Sequence, residues 1–333
     1  MSLVRRSLVI SLCVLLCGCG GVQRVLGNDG QDAVQISRLF WIFLSVTTLV
    51  YVSVIAFLIA SMRRERSAES ASIAREPRGM RTALIVWTGV IALGLSVLAV
   101  ASFFADRVSA KSSADQDVTI KVTARQWWWD VEYRSADASQ TMRTANELHL
   151  PVGVPARIEL ESSDVIHSLW IPNLAGKQDL IPGRRTDLSL RPLHTGQFRG
   201  QCAEFCGLQH SRMALDVTVE SEADFKRWWL SQLKPAAAPS SPLAAAGMAY
   251  VTTRECSVCH SIAGTPASAH FGPDLTHIAS RRSIAAGTLP MSRANLAAWV
   301  RSPQAHKQGA DMPNIGLSEP QANAIAAYLD GLK

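Results

Sequence analysis

The segment QCAEFCGLQHSRM, residues 201–213, places an imidazole and a thioether close to two thiols. Cys202 and Cys206 are four residues apart, and His210 and Met213 follow at loop spacing. Paired cysteines in an exported chain form a disulfide by default. Against that default, His167 in SSDVIHSLWIP supplies a second imidazole. Soft sulfur and imidazole with a weak methionine ligand form a copper donor set, whereas structural zinc uses four closed Cys/His ligands.

The number of thiols bears on the kind of copper centre. A mononuclear blue-copper centre uses one cysteine, two histidines and a methionine, which leaves one cysteine spare. Two thiolates can bridge two coppers, each completed by one histidine and one weaker ligand. One unpaired electron is then shared by two metals, which lowers the reorganisation energy of electron transfer. The residues favour a dinuclear copper centre, with a disulfide as the alternative.

A second segment, CSVCH at 256–260, has the spacing of covalent c-type haem attachment. Cys256 and Cys259 can add to the haem vinyl groups from one turn, and His260 can then reach the iron. Met312, in the loop GADMPNIGLSE, is the favoured second axial ligand. Its competitors are Met291, His270 and His277. A zinc site or a redox-active disulfide is the alternative interpretation of the two cysteines.

The N-terminus has the pattern of an export signal. Arg5 and Arg6 precede SLVISLCVLLCGC, an apolar stretch too short to be an ordinary spanning helix. The run from Leu16 to Cys19 resembles the bacterial lipoprotein box, which implies a signal peptide over 1–18 and lipid on Cys19. A plain signal peptide or an uncleaved anchor is the alternative. Either way, we expect a chain in a cell envelope.

Two apolar stretches without charges, 39–62 and 82–104, are each long enough to cross a hydrocarbon core of about 30 Å. The loop 63–81 between them carries six arginines against three glutamates. The positive-inside rule places this loop in the cytoplasm. Residues 19–38 and everything after 104 are then expected on the outer face of the membrane.

The formal charge of +6 does not indicate a nucleic-acid partner. Residues 105–333 carry 23 basic and 22 acidic side chains, so the excess of positive charge lies in the signal and the membrane loop. An exported part without a basic surface excludes nucleic-acid binding.

The exported part divides by pattern. Residues 105–234 show strand-like alternation in VTIKVTA, HLPVGVPARIEL and LDVTV, which predicts a β-sandwich, followed by a helix in SEADFKRWWLSQL with a capping-box start. PAAAPSSP, residues 235–242, predicts a linker. Residues 243–333 predict helices joined by loops, in AAGMAYVTTREC, RANLAAWVRS and EPQANAIAAYLDGL.

These motifs carry two resemblances. Residues 36–233 resemble subunit II of haem-copper cytochrome c oxidase, in DVIHSLWIP, DLIPGR, QCAEFCGLQHSRM and ARQWWWDVEY. Residues 243–333 resemble class I cytochrome c, in CSVCH, FGPDLTHI and IAAYLDGL. Together they imply a two-helix transmembrane hairpin, an all-β cupredoxin-like copper A domain and an all-α cytochrome c domain.

The resemblance also implies roles for particular residues. The dinuclear copper A centre would be bound by the five donors already named and by the backbone carbonyl of Glu204; these residues are His167, Cys202, Glu204, Cys206, His210 and Met213. The Glu204 side chain would reach a magnesium ion at the interface with subunit I, and Asp164 would lie near that interface. Trp127, the first of three consecutive tryptophans, would be the point at which electrons reach the copper domain.

The implied function is electron transfer in aerobic respiration at the bacterial inner membrane. Electrons would pass from an external cytochrome or other small donor to haem c, then to copper A, and on to the oxygen-reducing subunit I; subunit III is a further expected partner. A short Pro/Ala/Ser linker predicts an effective concentration of order millimolar between the two domains. LIVWTGV contains Trp87 but no acidic residue, which departs from the proton-feeding glutamate of many family members.

Other classes of protein fit less well. A nitrous oxide reductase needs a large catalytic domain, and a quinol oxidase subunit would lack the copper ligands. The alternative that stays open is a membrane-anchored copper and haem electron carrier serving another reductase.

Overall fold

The computed structural model describes residues 20–63, 78–111, 118–135, 137 and 140–333. The predicted signal peptide, the lipidation site Cys19 and residues 64–77 of the predicted cytoplasmic loop lie outside the described residues. The chain forms two compact units, one over 35–112 and the other over the remaining residues.

The first unit consists of two long helices, α1 (Gln31–Arg63) and α2 (Arg78–Lys111). Both are long and apolar enough to cross a membrane, with a mean hydropathy of 2.5 over Gln31–Arg63 and 2.4 over Arg81–Phe104. Their large apolar side chains are exposed, as lipid contact requires. Each helix extends beyond the predicted apolar stretch at both ends, because helical hydrogen bonding does not stop where polar side chains begin.

The second unit contains a sandwich of two five-stranded sheets. Its strands are β1 (Val118–Arg125), β2 (Trp128–Arg134), β3 (Met142–Ala145), β4 (Glu147–Pro151), β5 (Ala156–Ser162), β6 (His167–Trp170), β7 (Gln178–Leu180), β8 (Thr186–Leu190), β9 (Gly196–Cys202) and β10 (Ala214–Glu220). The sheet orders are β3-β2-β1-β5-β8 and β4-β10-β9-β6-β7. The pairs β1–β5 and β4–β10 are parallel, and the other pairs are antiparallel.

The sequence alternation that predicted strands also places the core. In β1, the alternate residues Ile120, Val122 and Ala124 are buried in the cluster between the sheets. Helix α3 (Glu222–Gln232) follows β10 and begins as predicted, since the Ser221 hydroxyl accepts from the Asp224 backbone N–H. The sandwich thus provides the rigid frame on which the loop 203–213 is held.

The N-terminal segment 20–30 lies against this sandwich. Gly30 forms a β-bridge with Pro192, and the Arg199 backbone N–H donates to the Val22 carbonyl at 2.9 Å. A side chain at Gly30 would bring a Cβ within 2.1 Å of the Leu174 carbonyl oxygen. Residues 20–30, from the segment 19–38 that was predicted on the outer face, therefore belong to the sandwich unit.

The C-terminal residues form a separate helical core in the same unit. Its elements are α4 (Pro242–Thr253), the hairpin strands β11 (Ser283–Ile284) and β12 (Leu289–Pro290), α5 (Arg293–Arg301), α6 (Pro303–His306) and α7 (Glu319–Leu329). Pro242 is the first residue of α4, with Ser241 as its N-cap, so the connection ends one residue earlier than predicted. Helices α4 and α7 cross where Gly247 faces the backbone of Ala324.

Candidate metal centres

Two thiols and two imidazoles meet at the end of β9. Strands β6 and β9 are antiparallel neighbours, with Leu169 opposite Cys202. The loop after β9 brings Cys206 Sγ to 3.7 Å from Cys202 Sγ, and both cysteines are free and buried. His167 Nδ1 lies 3.7 Å from Cys202 Sγ, and His210 Nδ1 lies 3.5 Å from Cys206 Sγ. Each thiol therefore faces one imidazole nitrogen.

A weaker donor completes each half of this cluster. The Glu204 carbonyl oxygen lies 3.2 Å from Cys202 Sγ, and Met213 Sδ lies 4.0 Å from Cys206 Sγ. The ligand atoms of His167, Cys202 and Cys206 all lie within 4.8 Å of one another. All six residues that the resemblance implied for copper are brought together, in two similar halves around a pair of sulfurs.

The two thiols are electrostatically coupled. The hydrogen bond from Cys206 lowers the pKa of Cys202 to about 3, against the opposing effect of burial. The same hydrogen bond, together with burial, raises the pKa of Cys206 above its ordinary value. One thiolate is thus available near neutral pH. A metal cation that replaces the proton shared by the two sulfurs would make the second thiol a thiolate as well.

Asp164 holds His167 in a fixed orientation. Its Oδ1 lies 2.7 Å from His167 Nε2, which leaves Nδ1 facing Cys202. The other carboxylate oxygen accepts from the Gln126 backbone N–H at 2.7 Å. A carboxylate on the far nitrogen is the usual support of a metal-binding histidine.

The three consecutive tryptophans have different surroundings. Trp127 is 8% exposed, and its indole N–H donates to the Cys206 carbonyl oxygen at 2.9 Å. Trp129 is fully buried and packs edge-on against the His167 ring. Trp128 lies under the Arg125 guanidinium, 5.7 Å from its ring centroid. Trp129 therefore serves core packing, whereas Trp127 is hydrogen-bonded to the sulfur-bearing loop.

The exposed side of the loop 203–213 and of the neighbouring residues 165 and 166 carries apolar side chains and one carboxylate. The Glu204 carboxylate is half-exposed and lies 3.7 Å from Lys177 Nζ. Val165, Ile166 and Phe205, which neighbour the donors in sequence, are exposed large apolar side chains. An exposed apolar group beside a metal-type donor set is suited to contact with another protein.

The CSVCH segment in the helical domain is arranged around the His260 ring. Cys256 and Cys259 are free and half-buried, and the Cys259 carbonyl accepts from the Gly272 backbone N–H at 2.7 Å. His260 Nδ1 lies 2.7 Å from the Pro273 carbonyl oxygen. A carbonyl can only accept, so Nδ1 carries the proton and Nε2 keeps its lone pair for a metal. A Cβ at Gly272 would stand 2.8 Å from the ring, so a side chain there would crowd the imidazole.

The side chains near this motif suit an apolar group. Val258 is 67% exposed and Phe271 is 77% exposed. Met312 packs half-buried against the helical core, as does its competitor Met291. His277 is buried with a carbonyl oxygen 3.1 Å from one ring nitrogen and 3.0 Å from the other, so both nitrogens of this competitor face main-chain oxygens.

Two residues in contact with the tryptophan and the sulfur-bearing loop escaped the sequence analysis. The Gln126 side-chain amide donates to the Cys206 carbonyl oxygen at 2.7 Å. Lys307 donates to the Trp127 carbonyl oxygen from the helical domain. Gln126 was adjacent to a motif and could have been considered. Lys307 stands alone in a polar loop, and no local pattern distinguishes it.

The donors present fit the groups that the sequence motifs predict. Two unpaired thiols with matched imidazole partners suit a thiolate-bridged copper pair better than a closed zinc site, because a thioether and a carbonyl are included. CSVCH with an available His260 Nε2 suits a c-type haem. The fold and these donor sets define a membrane-anchored protein with a cupredoxin-like sandwich and a fused cytochrome c domain.

Comparisons with known proteins agree on the family. Residues 135–221 match the cytochrome c oxidase subunit II periplasmic domain, and residues 244–333 match cytochrome c. Cytochrome c oxidase subunit 2 of Alkalihalophilus pseudofirmus is 31% identical over 97% of this chain and 95% of that protein. The Bacillus subtilis protein of the same name is 27% identical, over 96% and 95%. The chain belongs to the cytochrome c oxidase subunit II family, in which the two domains imply copper A and haem.

A solved structure is also similar. The crystal structure of the periplasmic domain of subunit II of cytochrome oxidase from Bradyrhizobium japonicum is 29% identical. The match covers 35% of this chain and 94% of the chain in that crystal structure, with a TM-score of 0.33.

Proposed function

We propose that the chain is the electron-accepting subunit of a bacterial haem-copper oxidase. It receives electrons in its cytochrome c domain and delivers them, through its copper domain, to an oxygen-reducing subunit I. The observation that carries this proposal is the pair of unlinked sulfurs 3.7 Å apart, each with its own imidazole and its own weak donor.

The residues that would hold copper A are the six already described. The thiolates of Cys202 and Cys206 and the Nδ1 atoms of His167 and His210 would hold the coppers, with the Glu204 carbonyl and the Met213 thioether as weaker donors. In the cytochrome domain, Cys256 and Cys259 would attach haem c covalently, and His260 and Met312 would bind its iron. Copper A and haem c, when bound, each accept and release one electron at a time.

Neighbouring residues orient the side chains that would hold these groups. Asp164 and the Pro273 carbonyl each fix the proton on one histidine ring, so that the opposite nitrogen is free to bind. Trp127 connects the surface of the copper domain to the backbone of Cys206 through its indole N–H. This bond supports Trp127 as the residue by which electrons reach the copper domain.

The partner assignment rests on the exposed side chains at and beside the loop 203–213. Val165, Ile166 and Phe205 form an apolar surface next to the donors, and Glu204 adds a carboxylate that could bind magnesium. We assign this surface to subunit I; subunit III and an external cytochrome or other small donor complete the expected partners. Lipid on Cys19 would add to the two-helix anchor, and mass spectrometry of the mature N-terminus tests it.

The chain's domain arrangement follows from the same assignment. The copper and haem domains, residues 105–234 and 243–333, would lie on the periplasmic face, and the arginine-rich loop 63–81 would lie in the cytoplasm. Cysteine labelling of loop and domain positions in intact cells measures this orientation. Labelling of residue 70 by an impermeant reagent from outside would contradict it.

Electron paramagnetic resonance with copper and iron analysis tests the function directly. The full chain, purified from a host that matures c-type haem and supplied with copper, should contain two coppers per iron. Its spectrum should show hyperfine structure from one electron shared by two equivalent coppers. A single-copper spectrum, or a Cys202–Cys206 disulfide without copper, would contradict the proposal.

Copurification separates the alternative of a membrane carrier that serves another reductase. An oxidase subunit should purify with a large haem-bearing membrane subunit. Recovery with a different reductase, or as an independent carrier, would favour the alternative.

A further inference from the structure

The cytochrome domain contacts the copper domain along a continuous set of bonds within one unit. The Ala214 backbone N–H, at the start of β10, donates to the Ala286 carbonyl at 3.0 Å. The Ser283 hydroxyl donates to the Asp216 carboxylate, and Arg281 lies 3.6 Å from Glu147 with both side chains buried. These contacts hold the β11–β12 hairpin along the start of β10.

A second contact involves a loop that we call the docking loop, residues 306–310. The Gln209 side-chain amide donates to the Gln308 carbonyl at 2.7 Å, and the Arg212 guanidinium donates to the His306 carbonyl. Gly309 has a φ of +82°, which favours glycine. A Cβ built on Gly309 would stand 3.7 Å from the Trp127 ring. The backbone of the docking loop therefore lies against that tryptophan.

Lys307 is the one charged side chain of the docking loop, and it is 3% exposed. Its ammonium donates to the Trp127 carbonyl at 2.7 Å, to the Arg212 carbonyl at 2.7 Å and to the Ala285 carbonyl at 3.0 Å. No carboxylate among the described residues forms an ion pair with it. A lysine ammonium has three donors, and all three are used here.

The acceptors belong to both domains. Trp127 and Arg212 lie in the copper domain, and Ala285 lies in the hairpin of the cytochrome domain. Burial lowers the pKa of Lys307 to about 7, so burying this side chain carries a desolvation cost. A buried cation is retained in a fold where its bonds are fully made, and losing it leaves several acceptors unpaired at once.

We propose that Lys307 is the positioning residue that fixes the cytochrome domain on the copper domain, with the docking loop seated against Trp127. This inference rests on the proposed function for its consequence in electron transfer, and on geometry alone for the docking. The fixed arrangement makes the haem domain of the same chain the donor that contacts Trp127. An external donor then meets the cytochrome domain and not the copper domain.

The experiment compares Lys307→Met with Lys333→Met in the full chain, by hydrogen exchange and mass spectrometry. Methionine keeps most of the apolar stem and removes the charge, and Lys333 is an exposed lysine of the same domain. Lys307→Met should increase exchange at the Ala214 amide, which crosses the interface, about tenfold or more. Exchange in the β9–β10 ladder should be unchanged, and Lys333→Met should match the unsubstituted chain.

Two outcomes would overturn the proposal. Unchanged exchange at Ala214 would mean that Lys307 does not hold the interface. Faster exchange in the β9–β10 ladder as well would mean that Lys307 supports the sandwich itself and not the docking.

Electron transfer provides the second readout. After rapid reduction of the haem, transfer to copper within the chain should slow about tenfold or more in Lys307→Met, with two coppers per iron retained. If exchange responds as expected while the unsubstituted chain shows no internal transfer, the docking stands and the proposed function fails. An unchanged transfer rate in Lys307→Met would overturn the positioning role.

Discussion

Asp164 controls the orientation of one proposed copper ligand through a single 2.7 Å contact with His167 Nε2. Asp164→Asn keeps the shape but removes the charge and weakens this contact. Since such supporting carboxylates typically contribute 10- to 100-fold to metal affinity, we expect copper binding to weaken by about tenfold or more. Titration against a competing chelator measures the affinity.

Asp187→Asn is the matched control, because Asp187 is an exposed carboxylate paired with Arg157. It should bind copper as the unsubstituted chain does. Equal affinities for Asp164→Asn and the control would show that Asp164 does not orient His167.

His149 predicts a pH dependence away from the metal sites. Burial disfavours its charge, but hydrogen bonds to Glu147 and Glu220 prevail and raise the pKa of His149 to about 9. The ring also stacks on Trp228 with 4.0 Å between centroids. A pKa raised in the folded state contributes stability that is full below about pH 6.5 and is lost as the pH rises through 9.

His149→Gln should therefore lower the free energy of unfolding by about 2 kcal/mol at pH 6, with the difference fading above pH 9. Thermal unfolding of the full chain at several pH values, followed by tryptophan fluorescence, measures this. A difference that is the same at pH 6 and pH 10 would exclude the charged histidine.

At the scale of single residues, donor type and spacing were enough to select the metal-site candidates. Cys202, Cys206 and His210 lie in one segment with Met213, and a thioether beside thiols and an imidazole favours copper over structural zinc. No sequence motif distinguishes His149, and the structure shows its ring hydrogen-bonded and mostly buried. Its partner Glu220 is far along the chain, so the parallel pairing of β4 and β10 was needed to find it.

Among the elements, the crossing of α4 and α7 depends on Gly247. A Cβ there would stand 2.0 Å from the Ala324 carbonyl oxygen, which is backbone and cannot rotate away. Gly247→Ala gains about 1 kcal/mol in helix propensity but overpacks the crossing, which costs about 1–3 kcal/mol or more. We expect a net loss of up to about 2 kcal/mol in the cytochrome domain.

Thermal unfolding followed at the haem absorbance measures this change. Ala245→Ser, at an exposed position of the same helix, should unfold near the original temperature. A Gly247→Ala protein that is as stable as the original would mean that the helices separate easily at this crossing.

Element types were predictable because the apolar periods of 2 and 3.6 are clear in this chain. The ends of the elements were less so. Helix α1 begins at Gln31, eight residues before the apolar stretch, because residues 20–30 are bonded to the sandwich and lead directly into the helix. No composition signal marks such a contact between distant segments.

At the scale of the whole molecule, docking of the two domains determines whether the rate of internal electron transfer depends on the linker. A flexible tether would make electron transfer depend on linker length, falling roughly as its −3/2 power. With the domains docked, the transfer rate should be nearly independent of linker length. Insertion of ten Gly/Ser residues between Ala237 and Ala238, which are both exposed, should change internal transfer less than about twofold.

Stopped-flow reduction of the haem, followed by copper absorbance, measures the rate. The same insertion in Lys307→Met is the informative control, since an undocked domain should become sensitive to linker length. A large loss of rate from the insertion alone would show that the domains meet by diffusion.

The balanced charge of the exported part follows the same logic. Residues 105–234 carry 16 basic and 17 acidic side chains, so no strong field steers a partner to the copper domain. This neutrality is expected where the proposed donor domain is fused to the same chain, because a charged docking face is then less necessary. Docking depends on contacts between residues such as 214 and 286, which no local pattern relates.

The three acceptors around Lys307 are all main-chain carbonyl oxygens. Substitutions on the two sides of these bonds should therefore have unequal effects on docking. Replacing the side chains at 127, 212 or 285 leaves each oxygen in position, so the three acceptors of the Lys307 ammonium can vary in sequence without losing these bonds. The donor of these three bonds, in contrast, is the single side chain of Lys307. A genetic screen that starts from a Lys307 substitution should therefore return mainly true revertants, with few compensating changes in the copper domain.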